Sequence, residues 1–127
     1  MADVNRGKRP LSPHLQIYRP QITSILSILH RVTGVGLTLG MVLVVWWFVA
    51  AALSPGYFAL VDGLLTSWFG VLVLATSVWA LWYHALNGVR HLFWDAGWGF
   101  DLAVVTKSGI AVLGGACALT LITLLLV

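Results

Sequence analysis

The sequence predicts an all-α integral membrane protein with three transmembrane helices. Of the 127 residues, 60% are hydrophobic and only 9% are charged, which is more apolar than a soluble domain of this length. The apolar residues also fall into three runs, and each reaches the roughly 20 residues that a helix needs to cross a hydrocarbon core of about 30 Å. We therefore expect one small helical bundle in a lipid bilayer, without a separate soluble domain.

The three predicted spans are long runs with few charges, at about residues 21–53, 64–93 and 108–127. Residues 1–20 carry prolines and basic side chains, which favour an extended tail on the cytoplasmic membrane surface. Ser54-Pro55-Gly56 ends the first span, and we expect a loop to follow it. Residues 94–101 are rich in Gly and Trp and are predicted to form a second loop.

The basic side chains predict which way the chain crosses the membrane. They lie before the first span, near its N-terminal end or beside the second loop, and the first loop has none. By the positive-inside rule, the N-terminus and the second loop are cytoplasmic. The net charge of +3 is thus an orientation signal, and we expect no nucleic-acid partner. This topology brings Ser27, His30 and Arg31 to the inner end of the first span. It brings His84, Gly88, Arg90, His91 and Asp95 to the inner end of the second span.

Small residues recur at helical spacing in the first and third spans. Gly36 and Gly40 form a GxxxG pair, for which close helix packing is favoured over direct cofactor contact. Alanine and glycine pairs in the third span predict similar packing faces. The one cysteine, Cys117, lies in an apolar run and is interpreted as a small packing residue.

His84 and His91 are the strongest candidates for cofactor chemistry. Their spacing puts them on nearly one helical face about 10 Å apart, which is too far for both to bind one small metal ion. The spacing suits a haem lying against the helix, with Gly88 allowing close approach and His84 binding the iron. A hydrogen-bonded packing role is the alternative for His84. A second axial ligand would come from His30, His14 or another subunit.

Ser27 and Arg31 are candidates for binding a quinone. Their i, i+4 spacing presents a hydroxyl and a permanent cation to one point at the membrane boundary. Quinone carbonyl oxygens accept hydrogen bonds, and the negative charge gained on one-electron reduction would be stabilised by a guanidinium. In the alternative, Arg31 extends to the lipid headgroups and Ser27 bonds back to its own helix.

Arg90 and Asp95 also lie near the end of the second span. Arg90 is on a different face from His84, which favours an interfacial charge or a partner for a haem propionate. Asp95 follows His91 by four residues, so it pairs with that imidazole, pairs with Arg31 across the bundle, or faces water.

Two separate stretches of this chain carry a recognisable pair of motifs. The first is Arg9-Pro10-x-Ser12-Pro13-His14-Leu15, continuing through Tyr18-Arg19 to Ser24-x-x-Ser27-Ile28-x-His30-Arg31-x-Thr33-Gly34, and the second is His84-x-x-x-Gly88-x-Arg90-His91-x-x-x-Asp95. Together they resemble the cytochrome b subunit of succinate dehydrogenase, because they occur in the order and spacing of that family and fall on one side of the membrane.

The resemblance implies a membrane-anchor subunit of succinate:quinone oxidoreductase. Its three helices would form part of a heterodimeric bundle with a second anchor, which supplies the other haem b ligand. A flavoprotein subunit would oxidise succinate, and an iron-sulfur subunit would pass the electrons to ubiquinone. The residues then match as follows: His84 is the axial haem ligand, Ser27 and Arg31 bind quinone, His30 and Arg31 lie near the haem propionates, and His91 is the second motif histidine.

Two other functions stay open at this point. One is a cytochrome b anchor of another respiratory oxidoreductase, such as fumarate reductase or a hydrogenase. The other is a haem-free structural anchor whose polar cluster docks a soluble partner. We expect the protein in a bacterial inner membrane, with the mitochondrial inner membrane as the alternative.

Overall fold

The computed structural model describes residues 18–126, which form four α-helices joined by short connections. In chain order they are α1 (Ile22–Leu53), α2 (Pro55–Leu65), α3 (Trp68–Asp95) and α4 (Leu102–Leu126). Helices α1, α3 and α4 are long and apolar enough to cross a membrane. The predicted all-α fold with three membrane-spanning helices is confirmed.

The connections differ from the sequence predictions. The prediction of a loop after the first span is largely wrong, because Pro55–Leu65 forms helix α2. Pro55 suits the first turn of a helix, where its missing N–H would have no partner, and the Ser54 hydroxyl accepts a hydrogen bond from the Tyr57 backbone at 3.2 Å. Helix α4 begins at Leu102 rather than at about residue 108. It therefore includes Lys107, whose side chain is exposed. The predicted surface tail lies outside the described residues except for 18–20, which are exposed and not helical.

Helix α2 is fastened to the last turns of α1 by two indole hydrogen bonds. Trp46 donates to the Tyr57 hydroxyl at 2.7 Å, and Trp47 donates to the Asp62 carboxylate at 3.1 Å. The single charge of the predicted loop therefore has a structural partner on α1.

Helix α3 packs between α1 and α4 and supplies the centre of the small core. Tyr83 is fully buried beside Leu26, Val112 and Ala116, and its hydroxyl donates to the Leu26 carbonyl at 2.8 Å. Few other side chains are buried, and long rows of apolar side chains on α1 and α4 are exposed. Such surfaces suit lipid or the helices of another subunit.

Glycines allow the helices to approach each other closely. They are not always the glycines for which the sequence predicted this role. A Cβ at Gly109 would collide with the Leu26 side chain, so α1 and α4 meet there. Gly40 lies against Ser77, whereas a Cβ at Gly36 would meet nothing within 4 Å, so the predicted packing pair is confirmed at one glycine only. Cys117 is exposed, so its thiol does not pack within the described bundle.

Arg90 joins α3 to α4 and is only 6% exposed. Its guanidinium donates to the Ser108 hydroxyl at 2.9 Å, the Val105 carbonyl at 2.8 Å and the Asn87 side-chain oxygen at 3.2 Å. It also lies 4.1 Å from the centre of the Trp94 ring. The prediction of an interfacial or propionate-pairing charge is therefore wrong, because these neighbours hold the cation between the two helices.

Replacing Arg90 with methionine is expected to lower the free energy of unfolding by about 2–4 kcal/mol, because buried acceptors on both helices lose their donor. The thermal unfolding of the purified complex in detergent measures this loss. Lys107→Met, which removes an exposed cation from the same end of α4, is the matched control and should leave the midpoint unchanged. Equal midpoints for the two variants would contradict the assigned role of Arg90.

Candidate functional site

Three imidazoles meet where α1 begins and α3 ends. The His30 ring of α1 stacks on His84 of α3, with the ring centres 3.9 Å apart and the planes 9° from parallel. It also stacks on His91, at 4.9 Å and 25°. The structure therefore brings together the two segments that the sequence analysis placed at one end of the bundle.

The hydrogen bonds of His84 determine which ring nitrogen is available for a ligand. Its Nδ1 lies 3.1 Å from the His30 carbonyl oxygen and 3.3 Å from the Thr33 hydroxyl. A carbonyl only accepts, so Nδ1 carries the proton of the neutral ring and Nε2 carries a lone pair. The side chain is half-buried. His84 is thus prepared to bind a metal through Nε2.

His91 is held by its own helix. Its Nδ1 lies 2.7 Å from the Asn87 carbonyl oxygen, one turn earlier. Its ring packs against the Trp94 ring in a T-shaped arrangement, with the ring centres 5.0 Å apart. The bond to Asn87 also places the proton on Nδ1. His91 lies two turns nearer to the end of α3 than His84 and has no hydrogen bond to α1 among the described residues.

The stack excludes one candidate for the second axial ligand. Axial ligands of a haem lie on opposite sides of the macrocycle, whereas the rings of His30 and His84 are in face-to-face contact at 3.9 Å. No macrocycle fits between the two rings in this arrangement, so His30 and His84 could not be opposite ligands of one haem. His30 Nδ1 is buried without a hydrogen-bond partner among the described residues. His14, the other candidate within this chain, lies outside those residues.

Two glycines shape the surroundings of His84. A Cβ at Gly34 would lie 3.0 Å from the His84 Cε1 atom, so the imidazole packs directly on the α1 backbone. A Cβ at Gly88, one turn after His84, would meet nothing within 4 Å. The α3 backbone at Gly88 is therefore accessible, as the close approach of a flat macrocycle would require.

Ser27 and Arg31 lie one turn apart on α1, next to the histidine cluster. Arg31 is exposed and Ser27 is half-buried. Neither side chain forms a hydrogen bond with another residue in the range 18–126. Their donors are therefore not consumed by the described part of the bundle, and Ser27 does not bond back to its own helix.

The structure adds residues to which the sequence analysis gave no role. Thr33 and Gly34 contact His84, and Asn87 accepts from both Arg90 and His91 through different atoms. A signal for the first two was present, because they follow His30 by three and four residues and so share its helical face. Asp95 is exposed, in agreement with the water-facing alternative.

A metal bound here would need ligands from outside the described residues. No group of three or more His, Cys, Asp or Glu side chains within 18–126 is arranged to hold a bare metal ion. A haem, whose macrocycle supplies four nitrogens, would need at most two further ligands, and His84 could be one of them.

Comparison with known proteins relates this chain to one family of membrane proteins. Residues 5–123 match the model of the succinate dehydrogenase/fumarate reductase transmembrane subunit family. The chain is 53% identical over 125 residues to the succinate dehydrogenase cytochrome b556 subunit of Paracoccus denitrificans, covering 98% of this chain and 96% of the relative. It is 43% identical over 116 residues to the b556 subunit of Rickettsia conorii, covering 91% and 90% of the two chains.

A less similar relative is also named as a cytochrome b subunit of succinate dehydrogenase. The succinate dehydrogenase cytochrome b560 subunit of Marchantia polymorpha is 38% identical over 122 residues, which cover 92% of this chain and 89% of the relative. From these matches and the three membrane-spanning helices, the chain belongs to the family of succinate dehydrogenase/fumarate reductase transmembrane subunits.

Proposed function

We propose that this chain is the cytochrome b membrane anchor of a succinate:quinone oxidoreductase, where it contributes a haem b ligand and part of the ubiquinone-reduction site. The observation that carries the proposal is the geometry of His84. Its Nδ1 proton is directed at a backbone carbonyl of α1, which leaves the lone pair of Nε2 as a ligand. The relatives named as cytochrome b subunits support this role.

The residues fit a haem in three respects. His84 would supply one nitrogen ligand, Gly88 leaves space on α3 one turn after it, and the His30 ring stacked on His84 fixes the imidazole plane. When bound, haem b supplies a one-electron redox centre between the two anchors. Because His30 is stacked on His84, a second protein ligand would have to come from elsewhere, and we assign it to the second anchor subunit. We assign His30, Arg31 and His91 to contacts with the haem edge and propionates.

Ser27 and Arg31 are proposed to bind the quinone. The hydroxyl and guanidinium hydrogen-bond to a carbonyl oxygen, and the guanidinium stabilises the negative charge that develops there during reduction. Arg31 is exposed on α1, so the head group would be bound between this chain and its partner subunits. The chain itself orients the quinone and holds its charge.

The proposed complex divides the reaction among four subunits. The flavoprotein oxidises succinate, and the iron-sulfur subunit delivers the electrons singly to the quinone bound at Ser27 and Arg31. The N-terminus lies on the cytoplasmic side, where the basic residues are. The two bacterial relatives support a bacterial plasma membrane, and the mitochondrial inner membrane is the alternative.

A visible absorption spectrum of the purified complex tests the proposal. We expect a reduced b-type spectrum with one haem per complex, because the three described histidines all lie at one end of the bundle. Two haems per complex would favour a di-haem anchor of another respiratory oxidoreductase. A spectrum without haem would contradict the role of His84 and leave a structural anchor, with the quinone role to be judged from Arg31 variants.

A further inference from the structure

Thr33 and Gly34 both contact His84 from α1. We propose that they are positioning residues for the haem ligand: the Thr33 hydroxyl tunes the electron density on His84, and Gly34 sets where its imidazole lies. This inference rests on the proposed ligation of haem by His84.

The Thr33 hydroxyl is fixed in place by its own helix. Thr33 is buried, and its Oγ1 lies 2.9 Å from the carbonyl oxygens of Leu29 and His30. Its one proton is donated to one of these carbonyls, which leaves a lone pair on Oγ1 facing His84 Nδ1 at 3.3 Å. The Nδ1 proton is therefore shared between two acceptors, the His30 carbonyl and the Thr33 hydroxyl.

Acceptors at Nδ1 affect the metal bond at Nε2. They draw the Nδ1 proton away from the ring, which makes the imidazole a stronger donor to the iron. A stronger donor favours the ferric over the ferrous state and so lowers the reduction potential. Loss of the Thr33 oxygen should raise the potential, while the His30 carbonyl still keeps the proton on Nδ1.

Gly34 determines how close the imidazole lies to α1. A Cβ at this position would lie 3.0 Å from His84 Cε1, so the ring would have to shift. The His30 ring, stacked at 3.9 Å, limits that shift on one face. The imidazole would then tilt, and Nε2 would move relative to the iron.

The first test is Thr33→Val in the assembled complex, with Thr33→Ser as the conservative variant. Redox titration of the haem and its low-temperature EPR spectrum measure the effect. We expect Thr33→Val to retain haem, with a more positive midpoint potential and altered g values. Thr33→Ser, which restores the hydroxyl, should return both towards the wild-type values.

The second test is Gly34→Ala, with Gly114→Ala as the matched control. Both changes add one methyl to a helical glycine, but a Cβ at Gly114 would meet nothing within 4 Å. We expect Gly34→Ala to lower the haem content per complex or alter its g values. The control should keep the wild-type content and spectrum.

The outcomes separate this inference from the proposed function. If His84→Leu changes the haem spectrum but Thr33→Val leaves potential and g values unchanged, the Thr33 assignment is wrong and the ligand assignment stands. Equal effects of Gly34→Ala and Gly114→Ala overturn the Gly34 assignment. A Thr33→Val complex that does not assemble indicates a packing role and overturns the tuning role. An unchanged spectrum in His84→Leu instead refutes ligation by His84.

Discussion

Replacing Arg31 with alanine is expected to reduce the rate of quinone reduction by at least about 100-fold, the usual effect of removing a donor that stabilises charge in the transition state. The side chain is exposed on α1 and has no hydrogen-bond partner among the described residues, so its removal should not disturb the bundle. Succinate oxidation with an artificial dye acceptor should persist, because the dye takes electrons before they reach the quinone. Paired quinone and dye assays on one preparation give the ratio.

Three variants make this experiment specific. Arg31→Lys keeps the charge but loses the planar donor pair, and should recover only part of the rate. Ser27→Ala should have a smaller effect than Arg31→Ala, because it removes a neutral donor. Lys107→Met removes an exposed cation from another helix and should leave both assays unchanged. Unchanged quinone turnover in Arg31→Ala would refute the role of Arg31.

The fold was predictable because membrane helices are specified by composition and length. An uncharged run of 20 residues has few alternatives in a bilayer, where every backbone polar group needs an internal partner. Charge asymmetry then placed the His30 segment and the His84 segment at one end, and their rings are in contact in the structure. Spacing also placed His84 and His91 on one face, and both stack on His30.

The contacts between helices were less predictable, because a periodic pattern does not fix how a helix is rotated. Arg90 was expected to be an interfacial charge or a partner for a haem propionate. Its three acceptors come from two helices and become apparent only when α3 and α4 are docked. Helix α2 was expected to be a loop because Pro55 and Gly56 break helices, although proline also begins them. The role of Thr33 depends on a bond to a ring 51 residues away.

The described part of the bundle forms only part of the proposed site, because several polar atoms of the site have no hydrogen-bond partner within it. His84 Nε2 and the Arg31 guanidinium are not engaged by other described residues, and the His30 Nδ1 atom is buried without a partner among them. Unpaired polar groups are costly in a bilayer, so partners from outside the described residues are expected to satisfy them. A cofactor and a second anchor subunit would do so at the end of α3.

His84→Leu is expected to remove most of the haem or change its spectrum completely, whereas His91→Leu should retain haem with a modest spectral change. Both rings have Nδ1 bonded to a carbonyl, so tautomer alone does not distinguish them. The difference is that His84 is hydrogen-bonded to the His30 carbonyl of α1 and lies two turns farther than His91 from the end of α3. A leucine at that position would leave the iron without this ligand. His91 bonds only to its own helix, near the end of α3, where another polar group or water can replace it.

The measurement is the haem content and reduced-minus-oxidised spectrum of each complex, normalised to dye-coupled succinate oxidation as a measure of assembly. Leu92→Ala, which shortens an exposed side chain on the same turn as His91, controls for changes at the helix end. A larger loss in His91→Leu than in His84→Leu would assign the iron to His91. Because His30 stacks on both rings, His30→Leu should then distinguish support from ligation: haem is retained with a shifted spectrum if His30 only orients its neighbours.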